Sequence, residues 1–233
     1  MLKISLAILS LGTIVTLCAL AGCSDVKKST EPDLPPANRE RIVPVDSPDL
    51  PARGFFVGLL PTPRQGQSFS DAYQAASACA DFTPVWGSPT PFYDLAKELS
   101  GEWGKTFVDQ YTRGNGMFPL VHMSFIGFGL TLVVPPGMSG ATLESPQWRQ
   151  AYKEAAIDIV RVSKPLYFSI GNEVNRWYEK YGAREDDPNG FQHYVSLYSE
   201  IYDAVKQLSP QTKVFCTFAR EIVSENREVS PDT

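Results

Sequence analysis

Short apolar runs alternate with longer amphipathic stretches along most of this chain, from about residue 54 to residue 218. The apolar runs are five to nine residues long and rich in Val, Ile, Phe and Tyr, which is typical of buried strands. Alternation of strands with helices predicts βα units and a parallel sheet. The predicted strands are residues 54–60, 82–86, 117–125, 166–171 and 213–218.

The helix predicted between the third and fourth strands has the clearest signature. Ser145 is a plausible N-cap, Pro146 suits the first helical position, and Pro165 stops the helix. Its apolar residues step by four and three positions and predict one buried face: Trp148, Tyr152, Ala155, Ile159 and Val162. The other predicted helices are residues 68–80, a stretch from Pro91 that Gly101 and Gly104 weaken, and one that Pro188 opens before Phe191, Tyr194 and Tyr198.

Five consecutive βα units predict an α/β fold that resembles the front of a (β/α)8 TIM barrel, which usually takes about 250 residues. We therefore expect residues 53–233 to form a partial TIM-barrel domain without the last three units. A doubly wound open sheet is the alternative. No G-x-G-x-x-G or G-x-x-x-x-G-K turn follows a predicted strand to favour it.

The amino terminus has the pattern of an export signal. Lys3 precedes an apolar run over residues 4–20, and the segment ends in Leu20-Ala21-Gly22-Cys23. These four residues resemble the lipobox of bacterial lipoproteins. The resemblance implies that residues 1–22 are a signal peptide, that Cys23 carries lipid, palmitate included, and that the protein is anchored in the bacterial cell envelope, at the outer membrane in a Gram-negative host. The alternative is an ordinary secretory signal with an incidental cysteine.

Residues 23–52 are polar and rich in proline, which predicts a flexible tether behind the lipidated cysteine. Removal of Lys3 with the leader takes the formal charge from −5 to −6, and no basic run remains. A nucleic-acid partner is therefore disfavoured, because such binding relies on Lys and Arg that neutralise phosphates. In the predicted domain, Cys79 and Cys216 lie in apolar settings that favour two unpaired thiols.

The residues just after the fourth predicted strand carry the main chemical signal. Gly171-Asn172-Glu173 resembles the clan-A glycoside hydrolases, barrel enzymes in which an Asn-Glu pair at the end of strand four holds the general acid/base. The resemblance implies that Glu173 is the acid/base, opening into a sugar-sized cleft, and that Asn172 contacts the 2-hydroxyl of the sugar. Both side chains can serve only if the strand ends or bulges there, because strand residues alternate between faces. The alternative is a solvated glutamate on a loop.

Three further residues are candidates for substrate binding: His122, Trp86 and Trp177. His122 ends the third strand and could bind a sugar hydroxyl, but a buried core histidine is equally consistent with the pattern. Trp86 and Trp177 follow strands and could stack on sugar rings, although such residues often pack loops instead. The two histidines lie far apart and lack cysteine partners, so neither a metal nor another cofactor is predicted.

The predicted function is that of a lipid-anchored, glycoside hydrolase-like protein that acts on extracellular or periplasmic polysaccharide. A retaining glycosidase needs a second carboxylate, which clan A places on strand seven, after the last predicted unit of this chain. We therefore expect a truncated enzyme. The alternatives are a non-catalytic glycan-binding surface lipoprotein and a fragment that does not fold stably because it exposes two sheet edges.

Overall fold

The computed structural model describes residue 46, residues 48–86 and residues 90–225, without the side chains of Trp86 and of residues 224 and 225. The predicted leader, Cys23 and most of the predicted tether lie outside these ranges. The described part is an α/β fold with one parallel sheet and a layer of helices. No helix in it is long and apolar enough to cross a bilayer.

The main sheet has four parallel strands that follow one another in sequence order. In chain order the strands are β1 Phe82–Trp86, β2 Phe118–His122, β3 Ile126–Gly127, β4 Thr131–Leu132, β5 Tyr167–Ser169 and β6 Lys213–Phe215. The order across the main sheet is β1-β2-β5-β6, and β3 pairs antiparallel with β4 as a separate hairpin. Because every strand of the main sheet is parallel to its neighbour, all of their carboxyl ends lie at one edge.

The helices pack on one another in the same order as the strands. They are α1 Phe69–Ser77, α2 Phe92–Ser100, α3 Pro146–Ser163, α4 Val174–Tyr181, α5 Phe191–Leu208 and α6 Arg220–Glu225, with a π-helix at Gly104–Thr112 and a 3-10 turn at Arg113–Asn115. Helix α2 packs on α3, and α3 packs on α5. The core between this layer and the sheet includes Trp148, Tyr152 and Phe168, all fully buried.

Helix α3 confirms the prediction made from its periodicity. It begins at Pro146 and ends at Ser163, and it buries Trp148, Tyr152 and Ile159. The hydroxyl of Ser145 does not cap the helix. It accepts instead from the backbone N–H of Thr142 at 2.9 Å.

The first predicted strand is wrong as a regular strand. Within residues 54–60 only Gly58 forms a bridge, to Phe82, beside β1. The carbonyl of Val57 accepts from Asp81 N at 2.7 Å, and Leu59 N donates to Phe82 O at 3.1 Å. A Cβ atom at position 58 would overlap the ring of Phe82, so the glycine permits this close approach. The segment therefore lies along the sheet edge with irregular geometry.

Three further differences lie after the strands of the main sheet. The predicted third strand stops at His122, and the loop expected after it contains the β3–β4 hairpin. Between β5 and α5 the chain forms α4, a helix that the pattern did not predict. Helix α5 begins at Phe191, after Gly190, rather than at Pro188. These local elements depend on contacts with distant parts of the chain, as described below.

A buried ion pair ties residue 46 to the domain. The guanidinium of Arg113 donates to both carboxylate oxygens of Asp46 at 2.9 Å. Both side chains are about 5–6 % exposed. Packing of the domain therefore extends to residue 46, inside the predicted tether. In the described residues, no disulfide joins Cys79 and Cys216.

Candidate functional site

A cavity of about 320 Å³ lies at the carboxyl edge of the main sheet. Its size is at the lower end of the range typical of small-molecule sites, about 300–1,000 Å³. Apolar walls combine with a few polar side chains, and the lining residues are Thr90, Pro91, Phe92, Leu95, His122, Met123, Ser124, Ile126, Gly127, Val133 and Asn172. The cavity therefore brings together two of the predicted binding residues, His122 and Asn172.

Asn172 is held in one orientation by Thr217, which follows the neighbouring strand β6. Its Oδ1 oxygen accepts a hydrogen bond from Thr217 Oγ1 at 2.9 Å. In the part of the chain that the structure describes, its Nδ2 amide donates no hydrogen bond. The contact with Thr217 thus fixes the amide plane and leaves two N–H donors for a ligand hydroxyl or carbonyl.

His122 lies at the last position of β2, mostly shielded from solvent. Burial lowers its pKa to about 4, because the charged imidazolium is poorly solvated there. Its ring meets Phe215 edge to face, with centroids 6.2 Å apart. At neutral pH the ring is therefore uncharged, with one N–H donor and one acceptor nitrogen.

Glu173 lies beyond the end of β5 and in an unusual backbone conformation. It has φ 50° and ψ 46°, in the left-handed region that non-glycine residues rarely adopt. Its backbone N–H donates to Thr217 Oγ1 at 2.9 Å. Strand β5 ends at Ser169, so the alternation that would send Asn172 and Glu173 to opposite faces no longer applies. A single hydroxyl, that of Thr217, therefore orients both residues.

The Glu173 carboxylate is bound by an arginine of α4. Arg176 Nε donates to Glu173 Oε2 at 2.7 Å, and Arg176 Nη2 donates to Glu221 Oε1. The bond to Glu173 is the main reason that the pKa of Arg176 is raised. Two carboxylates, one from the residue before α4 and one from α6, thus meet at one guanidinium. All three side chains are about one third to one half exposed, so salt and water weaken this cluster.

The acid/base role expected of Glu173 stays a prediction. Glu173 is not among the described residues that line the cavity. Its φ value turns the chain at residue 173, and Arg176, in the first turn of α4, holds the carboxylate.

Of the two predicted stacking residues, Trp177 is part of the core, and Trp86 ends β1. Trp177 is fully buried, with its ring 4.4 Å from that of Tyr181 and 5.3 Å from that of Phe125, centroid to centroid. Its Nε1 donates to Asn189 O at 2.7 Å. The indole therefore has no open face for a sugar, and it serves the core. Trp86 ends β1 with its backbone in register with His122, and its side chain lies outside the described atoms.

The sequence interpretation missed three residues that shape the site: Thr217, Arg176 and Ser124. Thr217 follows the fifth apolar run, where parallel strands carry functional residues, so its position was a usable signal. Arg176 lies three positions after Glu173, the spacing of neighbouring side chains on a helix, but α4 itself was not predicted. Ser124 lines the cavity and accepts from Ile126 N at 3.1 Å.

Within the described ranges, no group of three or more His, Cys, Asp or Glu side chains is placed to hold a metal ion. The cavity itself offers amide, imidazole and hydroxyl groups between apolar walls, an inventory suited to an uncharged polar ligand.

No known protein family, curated protein or solved structure matches this chain. The geometry of the cavity and its rim is therefore the basis for the functional argument.

Proposed function

We propose that this protein binds carbohydrate non-catalytically, in the cavity at the carboxyl edge of its parallel sheet. The observation that carries the proposal is the convergence of Asn172 and His122 in one cavity with apolar walls. A sugar presents hydroxyl groups around its ring and C–H groups on its faces. The amide of Asn172 and the imidazole of His122 can hydrogen-bond the hydroxyl groups. Apolar side chains such as Phe92 and Ile126 can pack on the C–H groups. A cavity of about 320 Å³ is suited to a single ring.

Hydrolysis is the second candidate, and one observation favours it. Glu173 follows β5, Glu221 lies in α6 after the adjacent strand β6, and both pair with Arg176, so two carboxylates lie close together. Glycosidases use a pair of carboxyl groups. Binding remains the better proposal because neither glutamate lines the cavity and both are engaged by a guanidinium.

A binding measurement on the full chain separates these candidates. The probes are four pairs of sugars, each a monosaccharide with its tetrasaccharide: glucose and cellotetraose, N-acetylglucosamine and chitotetraose, xylose and xylotetraose, mannose and mannotetraose. We expect calorimetry to detect binding of at least one of these sugars. Asn172→Ala or His122→Ala should weaken that binding about tenfold or more, because the ligand loses a hydrogen-bonding partner. Gln74→Ala, on the exposed face of α1, is the matched control.

We expect Glu173→Gln to retain binding and the wild type to release no shorter sugar. Release that Glu173→Gln and Glu221→Gln each abolish would favour the hydrolase. If none of the eight sugars binds the wild type, the carbohydrate proposal is wrong.

The open parallel sheet is also proposed to be a section of a (β/α)8 barrel. Its strands follow one another without a reversal of order, whereas a doubly wound sheet reverses at a switch point. Helices α2, α3 and α5 pack side by side, as in the outer layer of a barrel. An experimental structure with helices on both faces of the sheet would contradict this.

We propose further that the chain is exported and anchored to a membrane of the cell envelope through lipid on Cys23. The support is the leader with its positive residue, apolar run and lipobox-like end. In a bacterial host the wild type is expected in the membrane fraction, with a diacylglycerol mass on its amino-terminal peptide. Cys23→Ser should move it to the soluble fraction. A wild type without lipid, or a membrane-bound Cys23→Ser variant, would contradict the anchor.

A further inference from the structure

The β3–β4 hairpin presents an unusually exposed aromatic side chain. Its strands pair Ile126 with Leu132 and Gly127 with Thr131, and Phe128 begins the turn between them. Phe128 is 91 % exposed, more than any other large apolar side chain that the structure describes. Exposure of a whole phenyl ring to water is unfavourable, so this position calls for a reason.

The hairpin is held in place rather than left as a loose loop. Leu130 has φ 55°, a strained conformation for a bulky residue, and its carbonyl accepts from Lys180 Nζ at 2.8 Å. The Thr131 hydroxyl donates to Phe128 O at 2.9 Å within the turn. Below the turn, Trp148 Nε1 donates to Val133 O at 2.8 Å. Anchored to both α4 and α3, the hairpin presents Phe128 in a defined position.

The same hairpin forms one wall of the cavity. Ile126, Gly127 and Val133 line it, and they flank the turn that carries Phe128. Phe128 directly follows Gly127, one of the residues of this wall. The cavity volume of about 320 Å³ accommodates about one sugar ring, so a longer ligand has to extend beyond the cavity.

We infer that Phe128 is a second binding subsite, which stacks on a sugar ring of a chain whose first unit lies in the cavity. The inference rests on the proposed function, and it specifies the ligand as an oligo- or polysaccharide rather than a free monosaccharide. The chemical reason is that one face of a pyranose ring is lined with C–H groups, which pack well on an aromatic face. An exposed phenyl ring with no polar group adds contact area without demanding one particular sugar.

The test compares the two members of the sugar series that the wild type binds. We expect the tetrasaccharide to bind more tightly than its monosaccharide, and Phe128→Ala to weaken the tetrasaccharide about tenfold with the monosaccharide unchanged. Phe128→Trp should keep the tetrasaccharide affinity, because it keeps an aromatic face. Phe55→Ala is the matched control. Phe55 is also an exposed phenylalanine, in the segment that lies beside the first residue of β1. Because Phe128 is exposed, each variant should keep the thermal midpoint of the wild type.

Equal affinity of Phe128→Ala and the wild type for the tetrasaccharide overturns this inference and leaves the cavity proposal intact. Equal affinity of the wild type for the tetrasaccharide and its monosaccharide also overturns the Phe128 subsite and leaves the cavity proposal intact. Absence of binding to all eight sugars overturns the proposed function and this inference together. Vesicles of phosphatidylethanolamine and phosphatidylglycerol serve as the remaining probe. If Cys23→Ser protein binds them, and Phe128→Ala abolishes that binding without changing tetrasaccharide affinity, Phe128 is a membrane contact instead.

Discussion

Replacement of Arg113 by alanine is expected to destabilise the domain by about 3–5 kcal/mol, because it leaves a buried carboxylate without its partner. The Arg113 side chain is 6 % exposed, and that of Asp46 is 5 % exposed. Arg113 also donates to Asp109 Oδ1 at 3.0 Å and to Ser163 O at 2.7 Å. Burial alone would lower the pKa of Arg113, but the bonds to Asp46 and Asp109 outweigh it and raise the pKa.

Urea unfolding of the full chain measures this effect. Arg161→Ala is the matched control, since Arg161 and Asp158 form an exposed pair on α3 whose loss should cost less than about 1 kcal/mol. The double variant Asp46→Ala with Arg113→Ala should lose less than the sum of the single variants, because the orphaned charge is removed as well. Equal losses for Arg113→Ala and Arg161→Ala would contradict a buried anchor at residue 46.

Replacement of Trp177 by alanine is expected to cost a similar amount, about 3–5 kcal/mol, through the cavity that the missing indole leaves. The ring is fully buried against Phe125 and Tyr181, and its Nε1 ties α4 to the loop at Asn189. Trp177→Phe should cost less, about 1–3 kcal/mol, because it keeps most of the packing and loses mainly the hydrogen bond to the Asn189 carbonyl.

Thermal unfolding monitored by circular dichroism gives the measurement for Trp177. Tyr178→Ala is the control, since Tyr178 is the next residue on α4 and is 50 % exposed. Its loss should change the midpoint little. The opposite pattern, an unchanged midpoint for Trp177→Ala with loss of sugar binding, would return Trp177 to the stacking role considered from the sequence.

The outcome at Trp177 illustrates how far local pattern extends. The position after a strand correctly placed Trp177 near the carboxyl edge, but burial depends on which elements lie above it. Phe125 is 52 positions earlier along the chain. Asn189 is in a loop, and its Oδ1 accepts a hydrogen bond from the backbone N–H of Leu143. No window of neighbouring residues contains that information, so an aromatic stacking platform and a core indole had the same sequence signature.

For Glu173, the sequence predicted the position of the residue but not the direction of its carboxylate. Its position at the end of β5 followed from the apolar runs, and the end of the strand satisfied the condition set for a role beside Asn172. The direction of its carboxylate depends on a left-handed backbone that the pattern could not anticipate. That conformation places its N–H against Thr217, 44 positions away, and its carboxylate against Arg176 on a helix that was not predicted.

The amino-acid sequence by itself determined the alternation of strands and helices, the parallel α/β class, the limits of α3, and the positions of Asn172 and His122 at strand ends. These follow from local periodicity and from strong start and stop residues, which act over a few neighbours. Only the tertiary structure decided that Asn172 and His122 share a cavity, that Glu173 pairs with Arg176, that Trp177 is buried, and that the hairpin presents Phe128. Those outcomes depend on contacts between residues far apart in the chain, whose partners a local pattern does not specify.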